Sequence, residues 1–493
     1  MDKKGSKLRW WILITVIVGT FLGRLDQTIV NLALPKIIND FSISVSAAGW
    51  IATAYILANA VFVPIWGKLG DTIGRKKVYM IGFGLFIFGS VLAGLAWNLP
   101  SMIVFRVIQA IAGSADYPTA MAIIAVTFRE GKERAQALGI WSSSFAAASV
   151  FGPLLGGPLI DNFGWRSVFL INLPIGILGM LMAMRFINES REEKKTHYFD
   201  WWGASVLGGM LSSLVLVLDK GMDWGWMSTS SLICYFLVVV LTGIFIRIEN
   251  RVPEPIVDLK FFKIPAFVNT LLNNFVVFMG MMGALFLIPI FAQTFLGYDA
   301  TETGYLFMPM AAALMLGAPI GGALTGRVQS RYVIFASTLV AAIGVFLFSH
   351  LDPRSGPLDI IIPLSIMAFG LGFGMAQRTN VIASVVDQHE IGIASSVLAL
   401  TRNVAGAFGI AIFGSLLTNR VEENVLSING FSHLYSHKLA DIKTYIALIE
   451  LKAQVNAYDY VFLVAATLIF IGSFAVLFLK IKNEKIGVTV HVE

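Results

Sequence analysis

Gly67-Lys-Leu-Gly-Asp-Thr-Ile-Gly-Arg-Lys-Lys77 is a basic, glycine-punctuated stretch that joins two long apolar segments. It carries four positive charges and one carboxylate at the point where two membrane helices have to reverse direction. A turn of this kind can hold two helix ends together in one conformation and release them in another. The stretch therefore predicts a polytopic helical protein with a switchable contact on one membrane face.

The composition of the chain indicates an integral membrane protein. Of its 493 residues, 57% are hydrophobic and 13% are charged, whereas soluble domains contain about 25% charged residues. Apolar runs long enough to cross a bilayer recur fourteen times, from 10–34 to 460–480. The runs are continuously apolar rather than alternating, which predicts helices and excludes a barrel.

Two polar stretches divide this series of helices. Residues 188–200 and 247–265 flank a pair of predicted spans at 201–218 and 230–246. Six spans then remain on each side, as expected for two helical bundles related by an internal repeat. We predict an N-terminal bundle (1–188), an inserted pair with cytoplasmic joints (189–262) and a C-terminal bundle (263–493).

The positive charges predict the orientation. Most of the 36 Lys and Arg residues lie in segments on the same side as the N-terminus. By the positive-inside rule, both termini are cytoplasmic. The net charge of +6 then reflects topology, and no nucleic-acid partner is indicated. Cys234, the only cysteine, lies in an apolar span, so no internal disulfide is predicted.

Segment 419–459 is predicted to be a long external connection with a loosely helical pattern from about 437 to 455. His433 and His437 are four residues apart, but no third ligand is near. We therefore predict neither a metal site nor a cofactor.

Charges inside a bilayer are costly and are candidates for function. At ~1.5 Å per residue, Asp26 in the first span and Arg106 in the fourth lie at depths that permit contact. An aspartate whose ion pair opens and closes with conformation would bind and release a proton. The alternative is a permanent ion pair that fixes helix packing.

Three further charges lie within spans: Arg24, Asp116 and Arg402. Arg24 and Asp26 are two residues apart and point to nearly opposite sides of the helix. Asp116 has three candidate roles: attracting a cationic substrate, serving as a second proton site, or neutralising Arg24. Asn31 and Gln109 complete our list of substrate-cavity candidates.

The fifth span contains Phe151-Gly-Pro-Leu-Leu-Gly-Gly-Pro158. Gly152, Gly156 and Gly157 permit close helix approach, and Pro153 removes a backbone donor and favours a bend.

In combination, these motifs resemble the fourteen-helix drug:proton antiporter branch of the major facilitator superfamily, nearly from end to end. Gly67–Lys77 is similar to the signature loop of that superfamily. The segments 25–35, 106–113, 151–157 and 165–176 resemble four further motifs of the branch, and Thr401-Arg402 with its Gly/Ala-rich continuation resembles another.

The resemblance implies a major facilitator fold in the cell membrane and export of hydrophobic or cationic amphiphilic compounds, or lipids, in exchange for protons. Asp26 would be the protonation site and Arg106 its modulator. The inner gate would comprise Gly67, Lys68, Asp71, Gly74 and Arg75.

The chain also departs from the branch. Ala110 and Ala112 replace glycines, Arg24 and Asp116 are unusual charges, and Gln377-Arg378 stands where small residues or proline are more usual. These departures suggest an individual substrate. Export of a native lipid or secreted metabolite is therefore a second hypothesis, whereas a membrane enzyme or sensor is disfavoured because no nucleophile–base, metal or phosphate motif is present.

Overall fold

The computed structural model describes residues 3–128, 131–189, 200–253, 255–324, 327–386, 391–431 and 439–478. Within these ranges the chain is helical and forms no strand. Twelve of the described helical stretches are long and apolar enough to cross a membrane. The α-helices are α1 (Lys3–Phe41), α2 (Val45–Ile73), α3 (Arg75–Gly94), α4 (Leu99–Gly113), α5 (Asp116–Thr127), α6 (Gly131–Phe163), α7 (Ser167–Leu170), α8 (Asn172–Phe186), α9 (Trp201–Trp224), α10 (Thr229–Glu249), α11 (Pro265–Phe295), α12 (Ala300–Ala323), α13 (Ser330–Leu347), α14 (Pro357–Ser384), α15 (Ile391–Phe431) and α16 (Leu439–Leu477).

The predicted fourth span is not one continuous helix. It breaks at Ser114–Ala115 into α4 and α5. Pro118 explains the break, because proline lacks the N–H that would bond to residue 114 but is tolerated in the first turn of a new helix. Pro174 has the same position in α8, and the sixth span is divided between α7 and α8 at Ile171.

The basic stretch Gly67–Lys77 is mostly helical rather than a turn. Helix α2 continues to Ile73, and α3 begins at Arg75. The reversal therefore occurs at Gly74 alone, whose φ of 112° favours glycine. The side chains of Lys68 and Asp71, and the burial of Gly67, lie outside the described part of the structure.

The predicted external connection is largely a continuation of two spanning helices. Helix α15 extends to Phe431 and α16 begins at Leu439. Charged side chains do not interrupt these helices, since a helix that leaves the bilayer can continue with polar residues in water. His433 and His437 lie outside the described residues.

For clarity, α1–α8 are called the first half and α11–α16 the second half, and the two ends of the bundle are called the Asp40 end and the Arg75 end. The sequence predicts that the Arg75 end is cytoplasmic. At the Asp40 end the halves are in direct contact. Asp161 on α6 accepts hydrogen bonds from the backbone N–H (2.9 Å) and hydroxyl (2.7 Å) of Thr301 on α12. Gln293 on α11 donates to the backbone carbonyl of Leu32 on α1 at 3.0 Å.

Asp219, near the end of α9, ties the inserted pair to both halves. Its buried carboxylate accepts hydrogen bonds from Ser46 Oγ at 2.8 Å and Trp50 Nε1 at 2.6 Å, both on α2. Its backbone carbonyl accepts a bond from Ser415 Oγ on α15 at 2.7 Å. Hydropathy gave no indication of this contact, because Asp219 falls just beyond the predicted span 201–218.

Replacing Asp219 with alanine is expected to destabilise the fold by about 1–3 kcal/mol, because two buried donors lose their acceptor. Thermal unfolding of the detergent-purified protein measures the change. Asp40→Ala is the matched control: Asp40 also accepts bonds from a tryptophan and a cation, Trp165 and Arg166, but it is exposed, so water can replace it. Equal melting temperatures for the two variants would contradict a stabilising role of the Asp219 contacts.

Candidate functional site

Asp26 and Arg106 form a buried ion pair at the centre of the first half. Arg106 Nη1 on α4 lies 2.6 Å from Asp26 Oδ2 on α1, and their side chains are 2% and 0% exposed. The contact predicted from helix depth is therefore present. Because both charges are removed from water, separating them would be costly unless another charge or a proton replaced the missing partner.

Neutral amides complete the surroundings of the carboxylate. Gln109 Nε2 donates to Asp26 Oδ1 at 3.0 Å, and Gln109 Oε1 accepts from Arg106 Nη1 at 2.7 Å. Asn172 on α8 also donates to Asp26 Oδ1, at 2.9 Å, and to Ser90 on α3 at 2.8 Å. The site thus holds one negative and one positive charge, oriented by groups that do not ionise.

Gln109 was predicted as a substrate-cavity candidate, and the structure places its side chain at the ion pair. The residue is fully buried beside Asp26. It lies three residues after Arg106, so helix geometry places the two side chains on the same face of α4. Asn172 was not among the predicted site residues, although it lies in the segment 165–176 that resembles a motif of the branch.

Arg106 is further held by aromatic rings. Its guanidinium lies 4.0 Å from the ring centroid of Tyr55 on α2 and 5.7 Å from that of Phe169 on α7. These cation–π contacts stabilise a buried guanidinium independently of its carboxylate. Arg106 therefore has a supported position even when Asp26 is uncharged.

The opposite side of α1 borders a separate cavity of about 50 Å³ between the two halves. Its lining is apolar apart from two α1 side chains. Helix α1 contributes Thr28, Asn31 and Leu32, α6 contributes Pro153, and α11 and α12 contribute two residues each: Leu285 and Pro289, Phe307 and Met310. Asn31 was predicted as a cavity residue, and it lines this one.

Arg24 shares the cavity side of α1, one turn before Thr28. It donates to Gln27 Oε1 at 3.0 Å. Asp116 on α5 lies within electrostatic range of Arg24, as the predicted second pairing requires. Arg402 on α15 reaches the same region from the second half, within electrostatic range of Arg24 and 5.5 Å from the ring of Phe278.

Arg378 is a sixth interior charge that the predicted sites did not include. It is 1% exposed and is held only by neutral partners among the described residues. Its Nε donates to Asn273 Oδ1 at 2.8 Å, and its Nη2 donates to Ser337 and Thr338 hydroxyls at 3.2 and 3.0 Å. A signal was present in the sequence, since Gln377-Arg378 is a departure from the pattern of the branch.

The predicted gate is described only in part. Gly74 makes the reversal, and the N-terminus of α3 beside it donates its backbone N–H groups at Lys76 and Lys77 to Glu189 at 3.1 and 3.2 Å. A carboxylate at a helix N-terminus is favourably placed. The gate role of Asp71 and Arg75 stays a prediction.

The glycines of the fifth span lie at helix–helix contacts. Gly152 and Gly156 adjoin Thr28 and Ile29 on α1. A Cβ on Gly157 would lie 2.8 Å from the backbone carbonyl of Ala300, at the start of α12. Helix α6 remains continuous through Pro153 and Pro158. This segment therefore brings the two halves together near the Asp40 end.

Two helical halves with a cavity between them are the architecture of a membrane transporter. The chain belongs to the Major Facilitator Superfamily, whose sequence profile matches residues 16–410. The protein is accordingly a membrane transporter and not an enzyme.

The chain is similar to several curated transporters. It is 33% identical over 422 residues to the multidrug transporter protein MdtP of Bacillus subtilis (strain 168), covering 85% of this chain and 77% of that protein. It is 31% identical over 405 residues to the multidrug resistance protein Stp of Mycobacterium tuberculosis (strain CDC 1551 / Oshkosh), covering 82% and 75%. The riboflavin transporter RibZ of Clostridioides difficile (strain 630) is 27% identical over 481 residues, covering 97% and 99%.

A solved structure supports the fold. The inward-facing, unoccupied form of a bacterial homologue of the human lysosomal transporter Spinster superimposes with a TM-score of 0.70. The superposition covers 98% of this chain and 100% of that one, at 19% sequence identity.

Proposed function

We propose that this protein is a proton-coupled antiporter that exports hydrophobic, amphiphilic small molecules by alternating access. The observation that carries the proposal is the Asp26–Arg106 pair, fully buried and surrounded by neutral donors. The relatives named as multidrug transporters support export of small compounds.

The pair can exchange its partner for a proton. When helix movement draws Arg106 away, Asp26 is left as a buried carboxylate without a counter-charge, which is strongly disfavoured. Proton binding neutralises it. When Arg106 returns, the ionised carboxylate is again the favoured form and the proton leaves. Conformation and proton binding are thereby linked.

Alternating access requires that one end of the passage closes while the other opens. The contacts of Asp161 and Gln293 close the Asp40 end in this conformation. The small and apolar cavity beside Thr28 and Asn31 lies below this closure. A compound held there would leave through the Asp40 end once those contacts separate.

The proposal predicts that adding an exported compound to inside-out vesicles that contain the purified protein releases protons into the medium. A pH-sensitive dye in the medium measures the release, and an ionophore that collapses the proton gradient should stop uphill export. Vesicles without protein provide the baseline. Uphill export that continues at full rate after the gradient has collapsed would refute proton coupling.

A further inference from the structure

The interior of the bundle contains more positive than negative charge. Six charged side chains lie away from both membrane ends: Arg24, Asp26, Arg106, Asp116, Arg378 and Arg402. Four are cations and two are anions, which leaves an excess of two positive charges. This count covers the residues whose side chains the structure describes.

The two carboxylates are already matched. Asp26 is ion-paired with Arg106, and Asp116 lies within electrostatic range of Arg24. Neither carboxylate compensates the second half of the molecule. Arg378 and Arg402 are therefore the excess cations.

Arg402 has no carboxylate partner among the residues that the structure describes. Its guanidinium stacks near Phe278, and its Nε is buried without a hydrogen-bond partner there. Arg378 lies within electrostatic range of Arg402, and its Nη1 is likewise buried and unpartnered within the described residues. Buried charges without counter-charges are strongly disfavoured unless something else supplies the opposite charge.

An apolar surface leads away from Arg402. On α11, Phe278, Met282, Leu285 and Pro289 recur at helical spacing and share one face. Phe278 contacts Arg402, whereas Leu285 and Pro289 line the cavity between the halves. Seven residues of helix separate Phe278 from Leu285, or about 10 Å. On the facing helix, Arg24 precedes the cavity residue Thr28 by one turn.

We propose that the transported compound is an amphiphilic anion, whose acidic group lies at Arg402 and whose apolar part occupies the cavity lined by Leu285, Pro289, Phe307 and Met310. This inference rests on the proposed export function and narrows its substrate class. It reverses the expectation of a cationic substrate that the sequence resemblance favoured.

The chemistry of arginine supports this assignment. A guanidinium stays charged and offers paired donors that match a carboxylate, sulfonate or phosphate group. An anion at Arg402 would supply the missing counter-charge while its apolar part contacts both halves in the cavity, whereas a cation would add to the excess positive charge. Binding from both halves also suits a compound that must be released when the halves move apart.

Three dansyl-labelled alkyl probes of equal length test the inference: one ends in a carboxylate, one in a methyl ester and one in an ammonium group. Binding to the purified full-length protein in detergent is followed by dansyl fluorescence, and export is followed in vesicles. The carboxylate probe should bind at least about tenfold more tightly than the ammonium probe, because a charge-assisted bond replaces a repulsion.

Variants at Arg402 separate charge from packing. Arg402→Gln should remove the preference for the carboxylate, whereas Arg402→Lys should retain most of it. Arg247→Gln, at an exposed arginine on α10, should change nothing. Gel filtration confirms that each variant is folded, and unchanged binding of the methyl ester shows that the apolar cavity remains intact.

Adding phosphatidylglycerol to the micelles identifies the source of the anionic group. Displacement of the carboxylate probe would assign the arginines to a lipid headgroup, and retention would assign them to a soluble anion. Any of three results would overturn the inference: the carboxylate probe fails to bind, the ammonium probe binds equally or more tightly, or Arg402→Gln leaves carboxylate binding unchanged. If the ammonium probe elicits proton release that depends on Asp26, the antiport proposal stands and the anionic substrate class fails. If no exported probe elicits proton release, antiport itself is refuted.

Discussion

Replacing Asp26 with asparagine is expected to abolish substrate-dependent proton release from inside-out vesicles, with a fall of at least about tenfold. The variant lacks the only group in the pair that can bind and release a proton. Asparagine has nearly the same shape and can still accept hydrogen bonds from Gln109 and Asn172. Arg106 remains supported by the ring of Tyr55. The change therefore acts mainly on charge and not on packing. Proton release and probe export are measured on the same vesicles.

A double variant distinguishes proton transfer from a purely structural ion pair. Asp26→Asn alone leaves Arg106 without its counter-charge, which in buried pairs costs about 3–5 kcal/mol of stability. Combining it with Arg106→Gln removes both charges and should restore the melting temperature. If Asp26 carries the proton, this double variant stays uncoupled. Restored proton release in the double variant would show that the pair only fixes helix packing.

Asp40→Asn provides the control for loss of a carboxylate on the same helix. Asp40 pairs with Arg166 at 3.1 Å, but its side chain is 46% exposed. Exposed ion pairs contribute about 0–1 kcal/mol. We therefore expect proton release within about twofold of the unmodified protein, since water replaces the lost contact. A loss as large as that of Asp26→Asn would mean that the effect is not specific to the buried site.

Replacing Gly157 with leucine is expected to block export by keeping the Asp40 end from closing. A side chain on Gly157 would overlap the backbone of Ala300 and Thr301, and a backbone cannot move aside as a flexible side chain can. Overpacking of this kind costs about 1–3 kcal/mol, which lowers the ratio of closed to open conformation by about five- to 160-fold. Probe export should fall accordingly.

Cysteine labelling reports the conformation directly. With Cys234→Ser to remove the only native cysteine, a cysteine introduced at Asn31 in the cavity is treated with a membrane-impermeant maleimide from the Asp40 side. Gly157→Leu should increase the labelling rate. Gly243→Leu is the control, because nothing lies within 4 Å of a Cβ at that glycine. Full export and unchanged labelling in Gly157→Leu would show that the α6–α12 contact does not govern closure.

Much of the site followed from the sequence because depth in a membrane is nearly a one-dimensional quantity. Counting residues from the ends of two apolar runs placed Asp26 and Arg106 at depths that permit contact, and the ion pair is present. The same counting placed Arg24 and Asp116 near one another. Rotation about a helix axis was harder to predict: Gln109, a cavity candidate in the sequence, lies buried beside Arg106 on α4.

Errors in the predicted fold occurred where helix continuity depends on more than hydropathy. Residues 101–127 form one largely apolar run in the sequence, yet the chain divides before Pro118 into α4 and α5. Residues 419–431 and 439–459 are hydrophilic, yet they continue α15 and α16. Hydropathy shows which segments are apolar enough to lie in the bilayer. Backbone hydrogen bonding decides where the helix begins and ends.

By itself, the sequence determined that the chain spans a membrane as a bundle of apolar helices, that charges lie inside it, and that its motifs resemble those of the major facilitator superfamily. These properties depend on residues close together in the chain. Only the tertiary structure decided that Asn172 and Gln109 hold Asp26, that Asp219 joins α9 to both halves, and that Arg378 and Arg402 are left without carboxylates among the described residues. Those outcomes depend on how helices distant in sequence rotate and pack, because side-chain partners are chosen by contact across helices and not by order along the chain.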